Sequence, residues 1–302
     1  MKLAPGDIDA ICGLVIDLCG VYLDESKGYL IEARLGDLAK RAGCGNYADL
    51  ARKVRLSNDV GLRNEVINAI TTNETLFFRD TSPFEALRHK AIPEMIDAKA
   101  KTMYPKRLRI WSAACSTGQE AYSIAMLLCE LLPDVHSWDI KILGTDICDE
   151  AVTRASRGWY SKHEIGRGLP PVQLQQFFRT DGDGWRVKDE LRSLVAFERR
   201  NLLESFAALG RFDIVLCRNV AIYFTPTARE DLFLRIAAAM NPDGYLFVGS
   251  QESLSDLGPR FTPHHHCRAV FYRPTLSAPG PSPSVAAPAR SAAAPVAGAR
   301  SF

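Results

Sequence analysis

The sequence predicts a doubly wound α/β sheet carried behind an N-terminal helical domain, with a small antiparallel β insertion in the sheet domain. Three observations predict it. Roughly the first 75 residues show helical periods with no strand signal. From about residue 108 to 273, short apolar runs alternate with helical patterns, the order that builds a mostly parallel sheet covered by helices. Between 160 and 193 the alternation is broken by Gly166, Gly168, Pro170-Pro171 and the turn Asp181-Gly182-Asp183-Gly184. Asp-Gly between strand-like runs signals a hairpin.

The elements follow in order. Ile8, Ile11, Leu14, Val15 and Leu18 recur at i, i+3, i+4 spacing, one face of an amphipathic helix. Leu30, Ile31, Leu35 and Leu38 mark a second helix that stops at Ala42-Gly43. Two shorter helical patterns cover roughly 46–56 and 59–70, and a connecting helix spans about 82–100. Leu108–Cys115 reads as the first strand, about 118–132 as a helix, and Lys141–Asp146 as the second strand, followed by a helix from Asp149. Later strands are Leu194–Phe197, Phe212–Cys217, Tyr245–Ser250 and Ala269–Arg273, with a helix from Thr227 to Met240 between two of them. The domains are therefore expected at 1–78 and 79–274. Residues 275–302, with five prolines, nine alanines and no acidic residue, are expected to be a disordered tail with little to bury.

Composition excludes more than it selects. Hydrophobic residues make up 47% and charged ones 24%, an ordinary globular balance, and the formal net charge is only +2. Nothing in that charge points to nucleic acid. No apolar stretch reaches the roughly 18 residues of a membrane span, and the N-terminus lacks a signal peptide's apolar run, so a cytoplasmic protein without membrane insertion is expected. No two of the eight cysteines have C-x-x-C spacing, and several lie in apolar runs; they read as reduced, buried small residues. His264-His265-His266 lies on an extended stretch whose side chains alternate in direction, so no metal is expected. Asp181-Gly182-Asp183 has the start of a calcium loop, but Trp185 stands at the fifth position.

Ligands of open α/β sheets bind beyond the carboxyl ends of the strands. There the first strand runs into Ala114-Cys115-Ser116-Thr117-Gly118, whose small residues admit a close ligand and where Ser116 or Thr117 can cap the next helix. Asp146 ends the second strand and suits either ribose hydroxyls or a helix cap. Arg79 and Arg218 each sit with an amide among apolar neighbours, and a buried charge needs a partner or a ligand. Lys27, Arg34 and Arg41 are seven apart and would form a basic stripe on a helix, either solvated or facing an acidic helical partner.

Thr72–Asp80, Ala113–Ala125, Thr145-Asp146-Ile147, Asn201-Leu202-Leu203 and Cys217–Phe224 together resemble the chemotaxis receptor glutamate methyltransferase family, in order over about residues 8–273. The resemblance implies a Rossmann-like methyltransferase sheet and S-adenosylmethionine as cofactor. It also implies a product, S-adenosylhomocysteine, and a partner, the cytoplasmic helical domain of methyl-accepting chemoreceptors, modified by a monomeric enzyme. It places Asn73, Thr75, Arg79, Glu120, Asp146, Asn201, Leu202, Arg218 and Asn219 around the cofactor, with Asp146 on the ribose and Asn201 and Leu202 beside the adenine. Arg79 and Tyr223 would face the reacting methyl. Gln119 departs from the family's usual Glu, and the hairpin at Thr180–Trp185 is short for one that grips a receptor tail peptide. The alternative is a non-catalytic S-adenosylmethionine-binding signalling module, which intact Arg79 and Tyr223 argue against.

Overall fold

The computed structural model describes residues 2–4, 6–101 and 106–275. The expected Ala/Pro-rich tail lies almost wholly outside the described residues.

Four helices form the N-terminal unit: α1 (Asp7–Cys19), α2 (Gly28–Arg41), α3 (Tyr47–Leu56) and α4 (Val60–Ile70). Their apolar stripes meet in one core of Ile11, Leu14, Ile31, Leu35, Leu50 and Val66, each shielded from water. Polar caps set the starts of two of them: Asn46 Oδ1 accepts from Asp49 N–H and Asp59 Oδ1 from Leu62 N–H, satisfying donors that the first turn leaves unpaired. Helix α1 stops at Gly20, whose φ of 75° suits glycine.

The connecting segment is α5 (Thr81–Ala86), a π-helical turn (Leu87–Ala91) and α6 (Ile92–Ala100), instead of one regular helix. The sheet domain then reads β1 (Arg107–Ala113), α7 (Gln119–Leu131), β2 (Asp139–Asp146), α8 (Asp149–Arg157), β3 (Trp159–Ser161), α9 (Lys162–Ile165), α10 (Pro171–Phe177), β4 (Phe178–Asp181), β5 (Gly184–Val187), α11 (Asp189–Arg192), β6 (Val195–Arg199), β7 (Phe212–Cys217), α12 (Pro226–Ala238), β8 (Met240–Val248), β9 (Phe261–His266) and β10 (Ala269–Pro274). Strand order in the main sheet is β6-β2-β1-β7-β8-β10-β9, parallel from β6 to β8 and antiparallel at β10 and β9. Alternation splits each central strand between two cores. Ile110, Ile214 and Phe247 pack on one face; Trp111, Val215 and Leu246 pack on the other.

The insertion is a separate antiparallel sheet ordered β3-β5-β4, its hairpin turning at Gly182-Asp183 as the sequence predicts. Strand β3 and the short helices α9, α10 and α11 gave no periodic signal, being four to seven residues or fewer.

Strand order reverses between β1 and β7: β2 and β6 continue to one side of β1, β8 and β10 to the other. That reversal opens a crevice at the carboxyl ends of β1, β2 and β7.

Candidate functional site

A cleft with about 1290 Å³ of empty space, counting its open mouth, occupies this crevice. The loops after β1, β2, β6 and β7 form its floor and sides, the junction Thr71–Thr75 with Arg79 forms another wall, and the helical domain closes it. Every site residue expected from the sequence lies on this lining: Asn73, Thr75, Arg79, Glu120, Asp146, Asn201, Leu202, Arg218, Asn219 and Tyr223.

Backbone strain concentrates here. Phe78, Asp80, Ala114, Ser116 and Asn219 have φ between 51° and 59°, which side chains seldom adopt. The loops that carry them border the cleft, where such strain persists only if the surroundings impose it. Between Ala114 and Gly118 the chain turns sharply enough to leave the strand and enter α7. Gly118, not Ser116 or Thr117, is the N-cap, and no side chain caps this end. The two hydroxyls do other things. Ser116 Oγ donates to the Asn73 carbonyl at 2.7 Å, tying the loop to the domain junction, and Thr117 Oγ1 donates to Gln119 Oε1 at 2.8 Å.

Asp146 ends β2 with only 7% of its surface exposed. Its Oδ2 accepts from Ser116 N–H at 2.8 Å and its Oδ1 from Cys148 N–H at 3.0 Å. It does not cap α8, whose N-cap is Cys148. Burial raises its pKa above the usual carboxylate value, and the two backbone donors oppose that rise. A carboxylate oxygen accepts more than one donor, so both oxygens remain available to hydroxyls.

Arg218 and Arg79 have different surroundings. Arg218 is buried and doubly paired: Nη1 donates to Glu120 Oε2 at 2.8 Å and Nη2 to Asp80 Oδ2 at 2.9 Å and to the Arg79 carbonyl at 2.8 Å. Its Nε is left without a protein partner. Glu120 also accepts from Ser112 Oγ at 2.7 Å. This network fixes the junction, α7 and the β7 loop to one another. Arg79, half-buried, donates only to the Glu74 carbonyl at 3.2 Å and has no carboxylate partner among the described residues.

Asn201 reaches the lining, but its amide is engaged on both ends: Nδ2 donates to the Leu18 carbonyl and Oδ1 accepts from Leu203 N–H. Asn73 Nδ2 donates to Cys148 Sγ at 3.2 Å. Tyr223 ends a 3-10 turn (Ala221–Tyr223) and is 44% exposed, its hydroxyl without a partner among the described residues.

Two contributions were not read from the sequence. Val21, Tyr22, Leu23, Lys27 and Leu30 of the helical domain line the cleft. Glu252 holds the β7 loop from behind: Oε2 accepts from Asn219 N–H at 2.8 Å and Gly249 N–H at 2.6 Å, and Oε1 accepts from Ile222 N–H at 3.2 Å. An acidic residue after the last parallel strand was the available signal.

The basic stripe does not survive folding. Arg34 turns onto the last carbonyl of α4, Ile70 O at 2.7 Å, and onto Thr72 Oγ1, where the negative helix end attracts a cation; Arg41 pairs with Glu65. Nor are all the cysteines buried: none is in a disulfide, but only Cys19, Cys115, Cys148 and Cys217 are buried and Cys267 is exposed at the β9–β10 turn. Burial pushes the Cys115 thiol well above its ordinary pKa, disfavouring the thiolate. The three histidines lie on β9, His264 stacked on Phe271 with 5.5 Å between ring centres.

Comparison with known proteins adds a family. The family model described as CheR methyltransferase, SAM binding domain, matches residues 73–269, and that of the CheR methyltransferase all-alpha domain matches residues 6–71. Chemotaxis protein methyltransferase 1 of Pseudomonas aeruginosa is 40% identical over 278 residues, covering 90% of this chain and 99% of that protein. Chemotaxis protein methyltransferase Cher2 of Pseudomonas putida is 44% identical over 243 residues, covering 79% and 87%. Chemotaxis protein methyltransferase 1 of Vibrio cholerae is 41% identical over 258 residues, covering 83% and 90%.

Proposed function

The chain belongs to the CheR methyltransferase family, and we propose that it esterifies glutamate side chains of bacterial chemoreceptors, using Arg79 and Tyr223 at the reacting centre. The methyl donor is S-adenosylmethionine. The names of its relatives, chemotaxis protein methyltransferases, support a chemoreceptor substrate. The proposed enzyme acts as a monomer in the cytoplasm on the receptor's helical domain. Among the described residues no helix is long and apolar enough to cross a membrane.

The donor set suits this cofactor. Asp146 offers a buried carboxylate to ribose hydroxyls, and the apolar side of Leu202 on the cleft lining suits a base. Glu120, on the cleft lining and held by Arg218 and Ser112, is the second carboxylate that would hold the cofactor.

One observation carries the reading. Arg79 and Tyr223 come from the domain junction and from the loop after β7, yet both reach the same cleft with polar groups uncommitted to other side chains. A glutamate with a pKa of about 4.3 is already ionised near neutral pH, so no general base is needed. The bound cofactor supplies a methyl group activated by its positive sulfur, which the carboxylate oxygen takes as the neutral thioether departs, with no proton transferred. What the protein contributes is alignment and charge. Arg79 can orient the carboxylate by charge-assisted hydrogen bonds, and Tyr223 by a neutral one that leaves it nucleophilic.

The test is transfer of labelled methyl to chemoreceptor-bearing membranes. Base-labile label on a receptor-sized band is expected; cofactor binding with no transfer to any receptor overturns the reading.

A further inference from the structure

The helical domain touches the turn that carries Tyr223 through its main chain. After α1 the chain leaves Gly20 with a φ of 75°, where a Cβ would meet Leu203 Cδ2 at 2.9 Å and Phe224 Cε2 at 3.5 Å. Val21 then forms an isolated antiparallel bridge with Phe224, and Tyr22 N–H donates to the Tyr223 carbonyl at 2.6 Å. Val21, Tyr22 and Leu23 also line the cleft. One rung of sheet therefore joins residues 20–23, here termed the strap, to the end of the 3-10 turn.

That rung matters because the Tyr223 side chain does not hold itself. Its hydroxyl has no partner among the described residues and its ring is 44% exposed. Its direction is set by the main chain at 220–224, which is held at two points. Glu252 grips the start of the turn through Asn219 and Ile222 N–H. The strap grips its end.

We propose that the strap is a positioning element for Tyr223, so that the helical domain sets the rate of methyl transfer. The inference rests on Tyr223 acting at the reacting centre. The strap performs no chemistry; its backbone bond fixes where the Tyr223 hydroxyl stands relative to the bound cofactor. A bridge that only joined two domains would affect stability and cofactor binding, and its effect would not depend on whether the Tyr223 hydroxyl is present.

A double-mutant cycle on the full chain tests this. Tyr22→Pro removes the N–H that meets Tyr223; Gly20→Ala displaces the strap by the Leu203 contact and serves if Tyr22→Pro does not fold. Each is measured alone and combined with Tyr223→Phe, reading kcat and KM for methyl transfer, S-adenosylhomocysteine affinity and thermal midpoint. In the wild-type background kcat is expected to fall about ten-fold or more, since small misplacement at a reacting centre is costly; for Gly20→Ala, which keeps the Tyr22 side chain of the cleft lining, product affinity is expected within about two-fold. In the Tyr223→Phe background the same changes are expected to add little. Equal losses in both backgrounds, or an unchanged kcat, overturn the proposal. If instead the wild-type protein transfers no methyl to receptors, the functional reading itself has failed, and the strap proposal fails with it.

Discussion

Arg218 and Glu120 meet at 2.8 Å with only 2% and 12% of their side chains exposed. The first follows a buried strand and the second opens a helix, so this pair fixes the two sides of the strand-order reversal at the cleft lining. Removing one partner leaves the other charge buried without compensation. Arg218→Ala should cost about 3–5 kcal/mol in urea denaturation, whereas Glu120→Gln, which keeps acceptor and shape, should cost much less. A loss below about 1 kcal/mol for Arg218→Ala would show that water reaches the pair.

Arg79 and Tyr223 should behave in the opposite way. Neither is tied to another side chain, so Arg79→Ala and Tyr223→Phe should shift stability by less than about 1 kcal/mol. Turnover should fall, by about ten-fold for the lost neutral hydrogen bond of Tyr223 and further for the lost charge of Arg79. Tyr223→Phe should bind cofactor normally; weaker binding with normal turnover would remove Tyr223 from the reacting centre.

Asp146 gives a pH dependence whose sign follows from its raised pKa. A carboxyl that is more basic folded than unfolded binds its proton preferentially in the folded state. Its contribution to the stability of the ligand-free protein is therefore greatest below its unfolded pKa and is lost as pH rises through the folded one. Ribose hydroxyls donate to the ionised form, so cofactor affinity should run the other way, full above the raised pKa and falling as pH drops through it. Calorimetric titration against pH would detect this, and Asp146→Asn should flatten the curve while weakening binding throughout. A wild-type affinity that does not fall on acidification would place the ribose elsewhere.

Glu252 makes three bonds to backbone N–H groups with two oxygens. A glutamine has one carbonyl oxygen and would turn its amide toward at least one of those donors. Glu252→Gln should therefore destabilise by about 1–3 kcal/mol and lower turnover by loosening the Tyr223 turn. Denaturation and methyl transfer measured on the same preparation would separate the two effects. Full activity would mean that the strap alone sets the turn.

Sequence made parts of this legible for physical reasons. The central parallel strands carry apolar runs because both faces are covered, and β7 is fully buried along its length. Asp146, Arg79 and Arg218 stood out because polar groups beside such runs need partners, whereas Thr75, Glu120, Asn201, Leu202 and Tyr223 came only from the family resemblance. What escaped detection was main-chain recognition. The bond from Tyr22 to Tyr223 involves no side-chain polarity, and any residue but proline could make it. The stripe of Lys27, Arg34 and Arg41 misled for a related reason: spacing reports a helix face but not that the carbonyl end of another helix, at Ile70, would claim the central arginine. Glu252 was overlooked because its partners are amides scattered over the loop after β7 and the end of β8.

The domain junction near residues 71–73 is also where the two family matches part, yet the cleft's wall is shared across it. The boundary between the two family matches is therefore not a boundary of the cleft, whose lining draws on both sides of it. A chimera joining this sheet domain to a relative's helical domain inherits a complete set of strand-end residues and still lacks a matched wall. Residues 20–30 would have to travel with the sheet domain, or co-vary with Leu203 and Phe224, for the hybrid to be an enzyme.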